Sequence, residues 1–152
     1  MHETIETILK ELLASMGIAD AVVTRSEVAG QTIFSIQTSE ARALIGGHGD
    51  TIQALDMIVK KIAEKRLAPE ETRDQHFLVD VNDYRVNQIK DLQTKALMMA
   101  ERARSFQYDV ELSPMSAYER LIVHTTLQDA PNVKTESQGE GRTRRVVIKY
   151  AA

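Results

Sequence analysis

The chain has 152 residues, of which 19 are Lys or Arg and 22 are Asp or Glu, so its formal net charge is −3. This balance excludes a uniformly basic, histone-like nucleic-acid binder. The lack of cysteine excludes thiol chemistry and zinc fingers. A basic N-terminal leader and a run of about 20 apolar residues are both missing, so we expect a soluble cytoplasmic protein.

The charge is distributed unevenly along the chain. Residues 1–82 contain 8 basic and 13 acidic residues, a net charge of −5, whereas residues 83–152 contain 11 and 9, a net charge of +2. The strongest concentration lies within residues 138–149, where four basic residues are accompanied by a single acid, Glu140. We therefore expect a phosphate-bearing ligand to bind in this region first.

The first 82 residues predict six elements in the order α-β-β-α-α-β, from helical spacing of apolar residues and from Val- and Thr-rich segments. These elements cover residues 3–16, 22–28, 31–37, 40–45, 50–66 and 77–81. A polar stretch, residues 68–75, is expected to connect the last helix to the last strand.

Residues 83–152 predict the order α-β-α-β-β, which makes the whole chain an α+β protein. Asn82-Asp83 is expected to cap the leading helix, and Ser116 with Glu119 forms a capping-box pattern for the next one. Strict alternation of Phe106, Tyr108, Val110 and Leu112 with polar residues predicts a strand with one buried face. The predicted elements cover residues 83–104, 106–112, 116–128, 133–137 and 144–150.

The loop Gly46-Gly47-His48-Gly49 lies between two predicted helices. Glycine lets a backbone approach a sugar-phosphate chain closely, and the amides of a following helix attract phosphate oxygens. In this element order, residues 1–82 resemble a type II KH domain, which implies an RNA-binding loop made of Ile45, Gly46, Gly47, His48 and Gly49. A plain glycine-rich turn is the alternative. Many KH loops carry Lys or Arg where Gly47 and His48 stand, so we expect weak phosphate attraction here.

Arg120 and His124 are four residues apart on a predicted helix, so they lie about 40° from each other on one face. Tyr118, Leu121, Ile122 and Thr125 are taken as the stripe that faces the core, which would point Arg120 and His124 away from it. An arginine binds phosphate bidentately or stacks on a base. A histidine can donate a hydrogen bond to phosphate or stack on a base. This pair therefore predicts a surface for single-stranded nucleic acid.

Residues 112–124, with segments 137–141 and 144–148, resemble the R-3-H domain, which is named for an Arg and a His separated by three residues and binds single-stranded nucleic acid. The resemblance assigns Arg120 and His124 as the signature pair. It also implies a flanking contact on the hairpin formed by the last two predicted strands. The residues of this contact are Gly139, Gly141, Arg142, Arg144, Arg145 and Lys149. One departure is Leu121, which stands where members often carry a second basic residue.

A KH domain over residues 1–82 followed by a small α/β R-3-H domain over residues 83–152 resembles the bacterial Jag (KhpB) family of RNA-binding proteins, without the N-terminal Jag domain of many members. The resemblance implies a non-catalytic RNA chaperone or post-transcriptional regulator that grips single-stranded RNA, or single-stranded DNA, mainly through its C-terminal domain. It also implies a small KH-domain protein (KhpA-like) as partner, and neither a cofactor nor a metal.

Two alternatives belong to other functional classes. In the first, a scaffold protein for cell-shape or elongation control docks a protein on its acidic KH half, and RNA contact is incidental. In the second, a hydrolase uses His48 or His124. The hydrolase is disfavoured because the chain has neither a P-loop motif nor H-E-x-x-H, and offers no evident carboxylate–histidine set.

Overall fold

The computed structural model describes residues 1–72 and 76–152. They form a mixed α+β protein that divides into two units, Met1–Val86 and Asn87–Ala152. The division falls inside a long helix, Tyr84–Phe106. The expected α+β class is therefore confirmed.

The N-terminal unit contains a three-stranded sheet in the order β1-β2-β3, with β1 antiparallel and β3 parallel to β2. A 3₁₀ turn, Gly47–Gly49, joins the second and third helices. In chain order the elements are α1 (His2–Ser15), β1 (Val22–Val28), β2 (Gln31–Gln37), α2 (Ala41–Ile45), α3 (Asp50–Arg66), α4 (Pro69–Thr72) and β3 (Phe77–Val81).

The polar stretch expected over residues 68–75 contains a short helix, α4, which its sequence pattern did not predict. Proline is suited to the first turn of a helix, and two acids, Glu70 and Glu71, occupy the same turn. The Glu71 carboxylate also accepts a hydrogen bond from the backbone N–H of Ala68 at 3.0 Å. The remainder of the predicted stretch, residues 73–75, lies outside the described residues.

Helices α1 and α3 bury their apolar stripes against the sheet. On α1 the spacing that predicts the helix is also the spacing of its buried residues, Ile5, Ile8, Leu9 and Leu13. They form one core with Phe34 of β2, whose ring meets Phe77 edge-on at 5.5 Å between centroids. This core holds α2, the Gly47–Gly49 turn and α3 in place, since Leu44 and Ile52 are both buried in it.

The C-terminal unit contains a second three-stranded sheet, in the order β4-β6-β5 with both pairings antiparallel. Its core joins small residues of the long helix to apolar residues of the next helix and the sheet: Ala96, Ala100, Ala103, Val123, Leu127, Val146 and Ile148. The elements are α5 (Tyr84–Phe106), β4 (Val110–Glu111), α6 (Ala117–Leu127), β5 (Val133–Gln138) and β6 (Arg145–Tyr150).

The first turn of α5 is capped by a residue other than the predicted Asn82-Asp83. The buried Asp80 carboxylate, at the end of β3, accepts hydrogen bonds from the backbone N–H groups of Arg85 at 2.7 Å and Val86 at 3.0 Å. Asn82 and Asp83 instead adopt left-handed backbone conformations, with φ of 46° and 60°. The tight turn they form brings the preceding aspartate back to the helix N-terminus, where a negative charge is stabilising.

The strand predicted over residues 106–112 is wrong for most of its length. Helix α5 continues through Phe106, Gln107 adopts a left-handed conformation with φ of 55°, and β4 is only two residues long. Phe106 and Tyr108 are 69% and 42% exposed, so the alternation of residue types does not mark a buried face there. Leu112 is the fully buried member of the series.

The C-terminal sheet has two chemically different faces. Residues paired across strands lie on the same face, and neighbours along a strand alternate between faces. What we call the inner face faces the core and contains Val146 and Ile148, opposite Ser137 and Thr135. The outer face contains Arg145, Val147 and Lys149, flanked by Glu111 and Glu136.

Candidate nucleic-acid interface

Helix α6 begins as its sequence predicts. The Ser116 hydroxyl accepts a hydrogen bond from the backbone N–H of Glu119, and the Glu119 carboxylate accepts one from the backbone N–H of Ser116. This reciprocal capping box satisfies two backbone donors and fixes where the first turn starts. The rotational position of Arg120 and His124 around the helix follows from that start.

The core-facing side of α6 differs from the predicted stripe. Ile122, Val123 and Leu127 are buried, whereas Leu121 is 47% exposed and Thr125 is exposed. At 100° per residue, the centre of the buried side lies about 80° from Arg120 and about 120° from His124. Both residues therefore lie beside the core-facing side, half-buried, rather than pointing away from the core as expected.

The imidazole of His124 bridges two hydroxyl groups on the inner face. Its Nδ1 lies 2.7 Å from Thr135 Oγ1 and its Nε2 lies 2.8 Å from Ser137 Oγ. The two hydroxyl residues are neighbours on one face of β5, and β5 is an edge strand of its sheet. Both ring nitrogens are thus occupied, and the ring plane is fixed between helix and strand.

Two arginines flank this histidine, and the backbone of Met115 ties them together. Arg120 donates from Nη1 to the carbonyl oxygen of Met115 at 2.8 Å, while the N–H of Met115 donates to the carbonyl oxygen of Arg144 at 3.2 Å. Arg144 is extended and two residues before Val146, which places it on the inner side of the hairpin. We call Arg120, His124, Thr135, Ser137 and Arg144 the arginine–histidine cluster.

Each flanking guanidinium uses one donor on a backbone carbonyl, since Arg144 donates from Nη1 to Gly139 O at 2.7 Å. Neither Arg120 nor Arg144 has a carboxylate partner among the residues that the structure describes. A guanidinium has five N–H donors in a fixed planar fork. Most of these donors therefore remain available to an anion.

The electrostatic effect of the two arginines is visible at the histidine. Burial lowers the pKa of His124 below its ordinary value of 6.5, and the positive charges of Arg120 and Arg144 lower it further. Both effects disfavour the imidazolium. At neutral pH the ring is therefore uncharged, with one nitrogen donating a hydrogen bond and the other accepting one.

The other two predicted cations of the hairpin lie on the outer face and are neutralised there. Arg145 binds the Glu111 carboxylate through Nε at 3.2 Å and Nη2 at 3.1 Å, and Lys149 forms an ion pair with Glu136. These partners lower the pKa of Glu111 and of Glu136, and Glu136 raises the pKa of Lys149. The structure therefore separates Arg145 and Lys149 from the arginine–histidine cluster.

The turn between β5 and β6 accommodates the remaining predicted residues. Gly139 has φ of 91°, and a Cβ added there would lie 2.9 Å from the carbonyl oxygen of Thr143, so glycine is required. Gly141 opens the 3₁₀ turn Gly141–Thr143, which also contains the exposed Arg142. The turn thus places Arg142 at the tip of the hairpin, and Arg144, a member of the cluster, directly after the turn and before β6.

The glycine-rich loop of the N-terminal unit needs two of its three glycines. Gly46 has φ of 75°, and an added Cβ would lie 2.3 Å from Thr51 Oγ1, while Gly49 has φ of 81° and packs against the Tyr84 ring. Gly47 and His48 are exposed, and His48 adopts a left-handed conformation with φ of 54°. Ile45 is half-buried against the core and anchors the loop.

Thr135 and Ser137 are the residues of this region that the sequence analysis missed. Their signal is an alternation of hydroxyl side chains with Lys134 and Glu136 along β5, which places both hydroxyls on the face that α6 covers. Without the pairing of β5 with β6, that face could not be chosen. The signal becomes readable once the histidine of α6 is known to reach the same strand.

Two further features bear on the kind of site. Among residues 1–72 and 76–152, no group of three or more His, Cys, Asp or Glu side chains is placed to hold a metal ion. Within the same residues, no helix is both long and apolar enough to cross a membrane.

Comparison with known proteins places this geometry in a family. Residues 90–150 match the R-3-H domain, and the match includes the whole arginine–histidine cluster. Over 97% of its length the chain is 31% identical to the RNA-binding protein KhpB of Bacillus subtilis, of which it spans 73%. It is 29% identical to KhpB of Clostridium symbiosum and 31% identical to KhpB of Streptococcus pneumoniae, of which it spans 62% and 34%. The chain therefore belongs to the KhpB family of RNA-binding proteins.

Proposed function

We propose that this protein binds single-stranded RNA without catalysis and that the arginine–histidine cluster is its principal contact. The observation that carries the proposal is the pair of guanidinium groups, Arg120 and Arg144, which both act electrostatically on His124 and have no carboxylate partner among the described residues. Guanidinium groups with free donors bind phosphate strongly and with defined geometry. The match of this region to the R-3-H domain supports the same assignment.

The described contacts of His124 also support a binding role rather than a catalytic one. A histidine that acts as a general base becomes positively charged, and a neighbouring carboxylate orients its ring and stabilises that charge. Both nitrogens of His124 are within hydrogen-bond distance of hydroxyl groups, and the charges that affect its pKa are both positive. The curated relatives are likewise named as RNA-binding proteins.

We further propose that the N-terminal unit is a type II KH domain, with its boundary to the R-3-H domain near residue 82, and that its groove adds a weaker contact. Its sheet, its helix pair α2 and α3 and the glycines at both ends of the Gly46–Gly49 loop support this reading. Gly47 and His48 supply no permanent positive charge. A KhpA-like protein partner and a cytoplasmic location stay predictions, and the scaffold alternative draws no support from the names of the relatives.

The proposal is tested with two double variants that each remove two positive charges from the C-terminal unit. One variant is Arg120→Ala/Arg144→Ala, in the cluster, and the matched control is Arg145→Ala/Lys149→Ala, on the outer face. Fluorescence-anisotropy titration of labelled oligouridine RNA measures the affinity of each. We expect the cluster variant to lose about tenfold or more, since two charge-assisted contacts disappear, and the control to lose little.

The salt dependence gives a second measure in the same experiment. For a single strand, each lost phosphate contact flattens the log–log dependence of affinity on salt by about 0.7. The cluster variant should therefore show a shallower slope, while the control keeps the slope of the wild type. Equal losses in both variants would mean that the RNA responds only to net charge, and the assignment of the cluster would fail.

A further inference from the structure

Two hydroxyl residues of β5, Thr135 and Ser137, hold the ring of His124. Thr135 and Ser137 are partly buried, as Arg120 and Arg144 are, and they lie on the edge strand β5. Both residues therefore keep part of their surface exposed to solvent, where a ligand held by the two arginines can reach them. Nothing in the R-3-H signature pair itself assigns them a role.

The proton count at these three side chains depends on the charge of the ring. A neutral imidazole has one N–H donor and one acceptor nitrogen. One hydroxyl must then donate its only proton to the acceptor nitrogen of the ring. The other hydroxyl accepts a hydrogen bond from the ring N–H, and its own proton stays available to another acceptor. An imidazolium has two N–H donors, so that both hydroxyls accept from the ring and both keep their protons free.

The charged groups that face the ring disfavour the imidazolium in the absence of ligand. They are Arg120 on α6 and Arg144 before β6, while β5 contributes only its two hydroxyls. The nearest acid along β5, Glu136, lies on the outer face and is paired with Lys149. A phosphate placed between the arginines would offset their repulsion of the ring and so reverse the bias.

We propose that Thr135 and Ser137 are themselves RNA-binding residues, donating their hydroxyl protons to phosphate oxygens, and that His124 is a positioning residue that takes up a proton when RNA binds. This inference rests on the proposed function of the arginine–histidine cluster. It gives the histidine a role different from that of a direct phosphate ligand. Protonating one ring doubles the number of hydroxyl donors directed at the strand.

The test follows the His124 ring by ¹⁵N-edited NMR in the full-length wild-type protein, free and saturated with oligouridine RNA. We expect the ring to titrate at a higher pH in the complex than in the free protein. Because the complex holds more protons, the affinity should rise several-fold between pH 8 and pH 6. The NMR signal is specific to His124, so titration of the other three histidines does not confuse the result.

Ser137→Ala and Thr135→Val remove the hydroxyls with little change in volume, and Ser105→Ala removes an exposed hydroxyl of α5 as the matched control. We expect either cluster variant to weaken RNA binding and to flatten its pH dependence, and the control to behave as wild type. Thermal unfolding confirms that each variant is folded.

The outcomes separate this inference from the proposed function. If RNA binds the wild type through Arg120 and Arg144 but the His124 titration does not shift, or if both hydroxyl variants bind as wild type does, the inference is wrong and the proposed function stands. If oligouridine RNA does not bind the wild type at all, the proposed function fails and the inference fails with it.

Discussion

Asp20 is an exposed carboxylate that organises the chain in front of α2. Its Oδ1 accepts a hydrogen bond from the Thr38 hydroxyl at 2.6 Å, and its Oδ2 accepts bonds from the Ser39 hydroxyl at 2.6 Å and the Ser39 N–H at 2.9 Å. The hydrogen bonds from Ser39 and Thr38 lower its pKa from 3.8 to about 2. The carboxylate thus fixes the segment that leads into the glycine-rich loop.

This shift predicts a specific pH dependence of stability. Between the unfolded value of 3.8 and the folded value of about 2, the folded state binds fewer protons than the unfolded state. The contribution of Asp20 is therefore complete above about pH 4 and is lost as the pH falls through about 2. We expect wild type to be more stable than Asp20→Asn at pH 7, and the difference to shrink as the pH falls below about 4 and to be lost below about 2, as measured by urea unfolding. A difference that stays constant down to pH 2 would contradict the assignment.

The sequence predicts that Arg120 and His124 lie on one side of a helix, but it does not determine how that side is oriented relative to the core. The spacing of Arg120 and His124 is enough to place them on one side of a helix. Which side faces the core depends on tertiary packing: Val123 and Leu127 join the core of the C-terminal unit, and Ile122 is also buried. Tyr118, Leu121 and Thr125 resemble a core stripe by residue type, and only the tertiary contacts show that Leu121 lies outside it.

At the scale of elements, the start of α5 depends on an aspartate that belongs to a strand. Asp80 is fully buried and accepts hydrogen bonds from the N–H groups of Val81, Arg85 and Val86. Asp83, which the sequence favours as a cap, is exposed and in a left-handed turn. Cap preferences apply to the residue directly before a helix. Asp80 lies four residues before Tyr84, the first residue of α5, so these preferences could not identify it.

The two aspartates make a matched pair for measuring the cap. Asp80→Asn replaces one carboxylate oxygen by an N–H₂ group that faces backbone donors, which should cost about 1–3 kcal/mol of unfolding free energy. Asp83→Asn removes the same charge but keeps a residue that tolerates the left-handed conformation, and should change the stability by less than about 0.5 kcal/mol. Chemical denaturation of the full chain measures both. Equal effects would show that charge rather than capping explains the loss.

The strands differ in how well the sequence predicts them, and the difference is physical. Segments 22–28 and 31–37 pair along their whole length, and their β-rich composition matches the observed bounds. Residues 106–112 have a more regular alternation, but the favourable continuation of α5 through Phe106 takes the first of them into a helix. Alternation depends only on residue type, whereas strand formation also needs a partner strand. Within residues 106–112, the strand pairing with β6 includes only Val110 and Glu111.

At the scale of the whole molecule, the charge divides between the two units as the sequence indicates. Within the C-terminal unit, however, Arg142, Arg144, Arg145 and Lys149 form one basic patch in the sequence. The alternation of β6 directs Arg145 and Lys149 to the outer face, where Glu111 and Glu136 pair with them. Glu111 is distant in sequence and Glu136 lies just outside residues 138–149, so a count over that range includes neither acid.

The two units should contribute unequally to RNA affinity. Gly47→Asp/His48→Asp adds negative charge to the glycine-rich loop at positions where the structure has room and the backbone tolerates Asp. We expect this variant to weaken oligouridine binding only a few-fold, less than Arg120→Ala/Arg144→Ala does, because the loop has no permanent positive charge to lose. Linked weak sites still add affinity through their effective concentration, so some loss is expected.

Gly47→Asn/His48→Asn is the control for side-chain size in the same assay. It introduces side chains of the same shape without charge and should bind RNA as the wild type does. A loss in the Asp variant larger than that of the cluster variant would assign the principal contact to the N-terminal unit.

The opposite faces of the C-terminal sheet also bear on how fast RNA is captured. On the outer face Arg145 and Lys149 are paired with acids, which leaves Lys134 as the excess charge there, whereas Arg120 and Arg144 together leave a stronger positive field on the inner side. Such a field accelerates encounters only from the direction it faces, and salt screens it within about 10 Å. Collisions with the outer face should therefore be unproductive, and the association rate should fall with salt more steeply than the dissociation rate rises.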